Sequence, residues 1–147
     1  MEILDLNEIH KSQWLPLWNG YLEFYKENLP QEITDLTFAR LCDPNEHNMG
    51  GFMAFDGDKA IGLVHYVIHR GTWSGKDVCY LEDLFVDPNV RGGGVGRALI
   101  NKVADFAREE DHRHVYWMTQ NDNSRARILY DNMAGQSEFV VYKLGIK

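Results

Sequence analysis

The chain has 147 residues, 44% hydrophobic and 25% charged, with a formal net charge of −7. That size suits a single domain over residues 1–147, burying roughly two thirds of its unfolded surface without a disulfide or metal staple. The acidic balance argues against nucleic-acid binding, which relies on Lys and Arg neutralising phosphates, and against a basic membrane-surface patch; it suits a cationic partner.

Met1 to Leu6 reads as a first strand, with neither the basic nor the apolar region of a signal peptide. No apolar run approaches the ~20 residues that span a bilayer, so the chain reads as cytoplasmic, with no membrane partner. Ser12 is a candidate N-cap for a helix reaching about Glu27, with Pro16 in its first turn. Trp14, Leu15, Leu17, Trp18, Tyr21, Phe24 and Tyr25 have helical spacing there, although Gly20 interrupts it. Thr34 is a candidate cap for a second helix, through Leu41. Gly51 to Phe55, a turn at Asp56-Gly57-Asp58, and Lys59 to Arg70 form a hairpin. Trp73 sits in the next loop, and Val78 to Val86 is a fourth strand closed by Asp87-Pro88. A helix from Val95 to Glu109 carries one apolar stripe. Val115 to Thr119 is a strand, Asn123 to Met133 a short helix, and Glu138 to Leu144 a last strand. The order β-α-α-β-β-β-α-β-α-β implies an α+β (mixed α/β) domain with helices packed on one central sheet.

Between the fourth strand and its helix lies Arg91-Gly92-Gly93-Gly94-Val95-Gly96-Arg97. Glycine admits backbone angles that let successive N–H groups converge on one point. The helix start adds unpaired N–H groups and partial positive charge, and Arg91 and Arg97 can pair with phosphate oxygens. This suits a pyrophosphate, whereas a plain strand-to-helix turn needs one or two glycines rather than four. A P-loop would place Lys-Ser/Thr after the last Gly, where Arg97-Ala98 stands. A dinucleotide fingerprint would place a third Gly at Arg97 or Leu99.

The run Val86-Asp87-Pro88-Asn89-Val90-Arg91-Gly92-Gly93-Gly94-Val95-Gly96 resembles the acetyl-CoA motif of the GNAT superfamily, with Arg91, Gly94 and Gly96 in the defining places. Asn123-x-x-Ala126-x-x-Leu129-Tyr130 resembles the same family's Asn-x-x-Ala-x-x-x-Tyr helix, although the glycine that usually follows is displaced by one residue to Gly135. The resemblance implies a mixed sheet with helices on both faces, and acetyl-CoA as co-substrate. Residues Leu84, Phe85 and Val86 would pair with the pantetheine arm as an added strand does. Arg91 to Arg97, including Gly93 and Val95, would hold the pyrophosphate, and Asn123, Ala126 and Tyr130 would complete the cofactor site. A homodimer is also implied.

Amine acetylation needs a neutral amine, yet a free alkylamine titrates near about 10. A proton acceptor is therefore required, and the departing thiolate benefits from a donor. The resemblance places Tyr130 beside the thioester sulfur as the acid; the competing reading is a core aromatic. Tyr80-Leu81-Glu82-Asp83-Leu84-Phe85-Val86 sets two adjacent carboxylates in an apolar strand. Alternation points them to opposite faces unless a bulge intervenes, and a salt bridge or an exposed strand edge would also explain them. The run resembles the spermidine/spermine branch of the family, which implies Glu82 as base and Asp83 as a contact for cationic substrate. Phe24 and Tyr25 are candidates to line the acceptor pocket, and Trp73 to be a lid or cation–π surface. His65 and His69 share a strand face, but two ligands are too few for a metal site, so no metal is expected. Cys42 and Cys79 have no ligand spacing and read as small buried side chains. The reading is an N-acetyltransferase moving acetyl to a primary amine (a polyamine, an amino acid or a lysine-like molecule) by direct transfer in a ternary complex. The alternative is an inactive CoA-binding sensor or interaction module.

Overall fold

The β-branched and aromatic runs of the first 120 residues pair into one five-stranded sheet. The computed structural model describes residues 1–90 and 92–146, and the chain divides into two units, Met1–Trp117 and Met118–Lys147. In the first unit the strands are β1 (Glu2–Asp5), β2 (Met49–Asp56), β3 (Lys59–His69), β4 (Val78–Val86) and β5 (Val115–Tyr116), in that order across the sheet. The first four are antiparallel and β5 lies parallel to β4. The β2–β3 turn uses Gly57 at φ 59°, a left-handed conformation that glycine adopts without steric cost.

Helices cover both faces, as expected. On one side, α1 (Lys11–Phe24) and α2 (Gln31–Cys42) bury Trp14, Leu17, Trp18, Phe38 and Leu41 against Met53, Phe55 and Leu63. Trp14 and Trp18 stack with ring centroids 5.4 Å apart. On the other side, α3 (Val95–Glu109) buries Val95, Leu99, Ile100, Val103 and Ala107. Each such side chain contributes on the order of 1.5–3 kcal/mol on full burial. Gly62 on β3 makes room for α3, since a Cβ there would lie 3.0 Å from Leu99 and 3.2 Å from Val95.

Gly20, which interrupts the first helical pattern, has a packing reason. A Cβ there would come within 2.8 Å of the Phe85 ring, so its absence lets α1 lie close over β4.

Several local expectations are corrected. Ser12 does not cap α1. A single 3-10 turn (Glu8–His10), capped by Asn7, feeds directly into the helix, whose N-cap position is His10. Pro16 therefore lies beyond the first turn, and its missing N–H leaves the Ser12 carbonyl without its helical donor. Thr34 lies inside α2, after Pro30, and its hydroxyl accepts the Trp18 indole N–H at 3.2 Å instead of capping. Cys79 is buried as expected, but Cys42 is only half-buried.

The second unit holds α4 (Ser124–Met133), preceded by Asn123, whose side chain makes no capping bond. Arg127 ties the segment before this helix to the one after it, bonding Asn121 at 2.9 and 3.1 Å and Gln136 at 3.2 Å. No strand forms over residues 138–144 among the described residues. Strand propensity there lacks a ladder partner, and Phe139, Val140, Val141, Tyr142 and Leu144 all remain exposed.

Candidate active site

The centre of β4 is irregular. His65 of β3 opposes Asp83, but the next residue, Tyr66, opposes Leu81, so Glu82 is an extra residue in the ladder. A bulge of this kind suspends the alternation of faces. Asp83 thereby reaches His65 and Tyr21 on the α1 side, while the neighbouring Glu82 bonds Tyr80 and bears on the same Tyr21 hydroxyl. The two carboxylates therefore act together.

Burial raises the Glu82 pKa above the usual carboxylate value, and the Asp83 charge adds to that. Burial also pushes the Tyr80 hydroxyl up to about 12, with Glu82 as the next cause. Tyr21 of α1 and Tyr25, which follows that helix, are both raised, first by burial and then by the Asp83 charge. Both hydroxyls keep their protons at neutral pH, and that of Tyr21 is hydrogen-bonded to Asp83.

His65 is 2% exposed. Its Nε2 lies 3.0 Å from the Trp14 indole nitrogen and its Nδ1 lies 2.9 Å from Asp83 Oδ2. His69, on the same strand face, joins other partners. Its Nδ1 donates to the Arg70 carbonyl at 2.9 Å, and its Nε2 lies 2.8 Å from the Tyr116 hydroxyl. No group of three or more His, Cys, Asp or Glu side chains among the described residues could hold a metal ion.

The β4–β5 ladder has only two pairs, Cys79 with Val115 and Tyr80 with Tyr116. The expected β5 strand to Thr119 is thus cut to two residues. From Leu81 onward, no described strand is paired to the outer edge of β4. The backbone of Leu84, Phe85 and Val86 lies along this edge, where an extended ligand could add as a strand does.

At the end of β4 a turn forms, with the Asp87 carboxylate accepting the Asn89 N–H at 2.9 Å. Gly92 (φ 67°) and Gly94 (φ 66°) adopt left-handed conformations, and a Cβ on either would meet nothing within 4 Å, so the space above them is open. The α3 ladder begins with the Ala98 N–H bonding the Gly94 carbonyl at 3.0 Å. The N–H groups of Val95, Gly96 and Arg97 precede that first helical bond. Gly94 has no side chain to cap them, and Arg97 is exposed. The loop thus combines helix-start N–H groups that precede the first helical bond with open space at Gly92 and Gly94 and an exposed Arg97, features that suit an anion such as a pyrophosphate. Arg91 lies outside the described residues.

The remaining candidates divide. Tyr25 joins the carboxylates through Asp83. Phe24 instead lines a groove of about 650 Å³ beside Gly20, Phe85 and Pro88. Trp73 is 78% exposed, and its ring contact is with the Arg113 guanidinium, 5.8 Å from the ring centre. In the second unit Asn123 donates to the Thr119 hydroxyl at 3.5 Å, and Ala126 and Tyr130 are half-buried on α4. Tyr21, Tyr80 and the His65–Trp14 pair are additions to the expected site. Tyr21 sits in an aromatic stripe that reads as core, and only the bulge, which local pattern does not announce, brings it to Asp83.

The family model for the acetyltransferase (GNAT) family matches residues 6–135. The chain is 41% identical over 133 residues to the D-amino-acid N-acetyltransferase HPA3 of Saccharomyces cerevisiae, covering 88% of this chain and 81% of that one. It is 26% identical over 132 residues to a thialysine N-epsilon-acetyltransferase of Caenorhabditis elegans, covering 90% and 81%. Among solved structures, a probable acetyltransferase superposes with a TM-score of 0.87 at 24% identity, covering 100% of this chain and 99% of the other. The aminoglycoside acetyltransferase AAC(6')-Iy, in complex with a CoA-linked bisubstrate analogue, gives a TM-score of 0.85 at 20% identity, over 99% and 98%.

Proposed function

The chain belongs to the acetyltransferase (GNAT) family, and on that premise we propose that it moves the acetyl group of acetyl-CoA directly to a small primary amine within a ternary complex. The family model spans both units, so we treat residues 1–147 as one catalytic domain. No described helix is long and apolar enough to cross a membrane, and we assign the enzyme to the cytoplasm.

The bulged carboxylate pair of β4, beside an unpaired sheet edge, is the observation that carries this reading. The backbone of Leu84, Phe85 and Val86 binds the pantetheine arm along that edge. The loop from Arg91 to Arg97 receives the pyrophosphate on its N–H groups. Asn123 and Ala126 of the second unit are assigned to the cofactor by their match to the family's Asn-x-x-Ala helix.

Glu82 accepts the proton of the incoming ammonium, directly or through water. Its pKa, raised by burial and the Asp83 charge, brings it closer to the amine it must deprotonate. The freed amine attacks the thioester carbonyl, the carbon–sulfur bond breaks as Tyr130 gives its proton to the departing thiolate, and the proton still on the amide nitrogen passes through solvent to restore the Tyr130 hydroxyl. Asp83 and Tyr25 hold the cationic side of the substrate. Phe24 and Trp73 extend the acceptor surface outward.

The named relatives point to D-amino acids and thialysine as the first amines to try, with polyamines beside them. An amine-dependent release of CoA thiol, followed across such a panel, is the direct test. The expected result is turnover with at least one small cationic amine and initial-velocity lines that intersect rather than run parallel. Parallel lines would replace direct transfer with an acetyl-enzyme route.

A further inference from the structure

The hydrogen bonds of the buried histidine on β3 admit one protonation state. An indole N–H donates and never accepts, so the 3.0 Å contact with Trp14 obliges His65 Nε2 to present its lone pair. The ring proton then sits on Nδ1, 2.9 Å from Asp83 Oδ2. Trp14 is fully buried and His65 nearly so. A proton arriving on Nε2 would set two N–H groups against each other with no water to relieve them.

This neutrality matters to Asp83. An imidazolium at that distance would compensate the carboxylate, whereas a neutral N–H orients it and leaves its charge in place. Tyr21 supplies a second donor from α1. A carboxylate has about four lone-pair positions, so two donors still leave room for an ammonium. The other titratable groups around Asp83 are Tyr25 just after α1 and Glu82 of β4, with Tyr80 and Tyr116 bearing on it through Glu82.

We propose that His65 is a positioning residue for the acceptor amine: Trp14 locks it as the neutral Nδ1–H tautomer, and it fixes Asp83 as an uncompensated anion aimed at the cationic group of the substrate. This rests on the reading of Asp83 as a substrate contact.

Ring-¹⁵N-labelled histidine in the unmodified enzyme reads the tautomer by NMR. Nδ1 should stay protonated and Nε2 bare over about pH 5–8; a cationic His65 in that window overturns the proposal without any variant. In kinetics, His65→Leu should raise the amine KM about tenfold or more, as expected for losing a hydrogen bond to a charged group. The acetyl-CoA KM should stay as it is. His65→Asn, whose amide N–H can occupy the place of Nδ1, should restore most of the loss. Because His65 acts through Asp83, adding His65→Leu to Asp83→Asn should change the amine KM no further. An unchanged amine KM in His65→Leu, or a His65→Asn enzyme no better than His65→Leu, overturns the positioning role while Asp83 stands. An unchanged amine KM in Asp83→Asn removes the substrate contact itself, and the proposal with it.

Discussion

Glu82 combines a catalytic assignment with a cost to the fold. Its pKa is raised by burial and by the Asp83 charge. A carboxyl raised in the folded state stabilises the protein below its unfolded pKa, and that contribution is lost as pH rises through the folded value. The ionised form that the proposed mechanism uses is therefore the form the fold tolerates less well. Two outcomes follow for activity and stability. The acid limb of kcat/KM should fall above the ordinary glutamate value of about 4.3, measured as a pH–rate profile. Glu82→Gln should abolish that limb and lower kcat by about 10²-fold or more, yet leave the thermal midpoint at or above that of the parent enzyme. A lowered midpoint would mean that Glu82 is held by a favourable ion pair instead. Tyr130→Phe separates chemistry from binding in a different way. Loss of the acid should cost about 10²–10⁴ in kcat, with CoA affinity by calorimetry nearly unchanged. Full turnover in that variant would take Tyr130 out of the mechanism.

At the scale of elements, what was legible in the sequence follows from punctuation and pattern. The bounds of β4 (Val78–Val86) and α3 (Val95–Glu109) match the sequence reading, because Asp87-Pro88 and the glycine run mark the ends and one strong apolar stripe marks the helix. The starts of α1 and α2 fall earlier than the sequence reading because Ser12 and Thr34 have the chemistry of caps, whereas the helices begin after His10 and Pro30 with no side-chain cap. The left-handed backbone of the glycine loop could be read from local sequence. The Glu82 bulge and the His65–Asp83 bond could not, since both depend on how β3 and β4 register, a non-local property. Gly20 shows the same limit. Helix propensity alone makes Gly20→Ala a gain of up to about 1 kcal/mol. Contact with the Phe85 ring at 2.8 Å should reverse the sign, giving a net loss of about 1–3 kcal/mol in denaturant unfolding. The companion change Phe85→Leu should recover part of it. Gly94→Asp tests the loop as an element. It strains a left-handed position and sets a carboxylate where phosphates are expected, so acetyl-CoA binding should fall below detection while the circular dichroism spectrum is kept. Normal affinity would remove the loop from the cofactor site.

At the scale of the whole molecule, charge and exposed apolar surface point outward to partners. A net charge of −7 favours the approach of cationic amines, consistent with carboxylates at the candidate acceptor site. The segment from Phe139 to Ile146 makes a different demand. Tyr142 is 93% exposed, Leu144 86% and Ile146 90%, in a stretch whose composition suits a strand. An apolar run of this kind left in water marks an association surface or an aggregation hazard. Strand pairing with a second copy of the chain would cover it, satisfying backbone donors and burying the side chains together. Sedimentation velocity should then give a dimer at micromolar concentration. Replacing Val141 and Tyr142 with lysine should shift the species to monomer with α-helical content retained, because charge on a pairing edge opposes strand addition. A monomer at every concentration, with the segment as protected from proteolysis as the sheet, would show instead that the chain covers these residues itself.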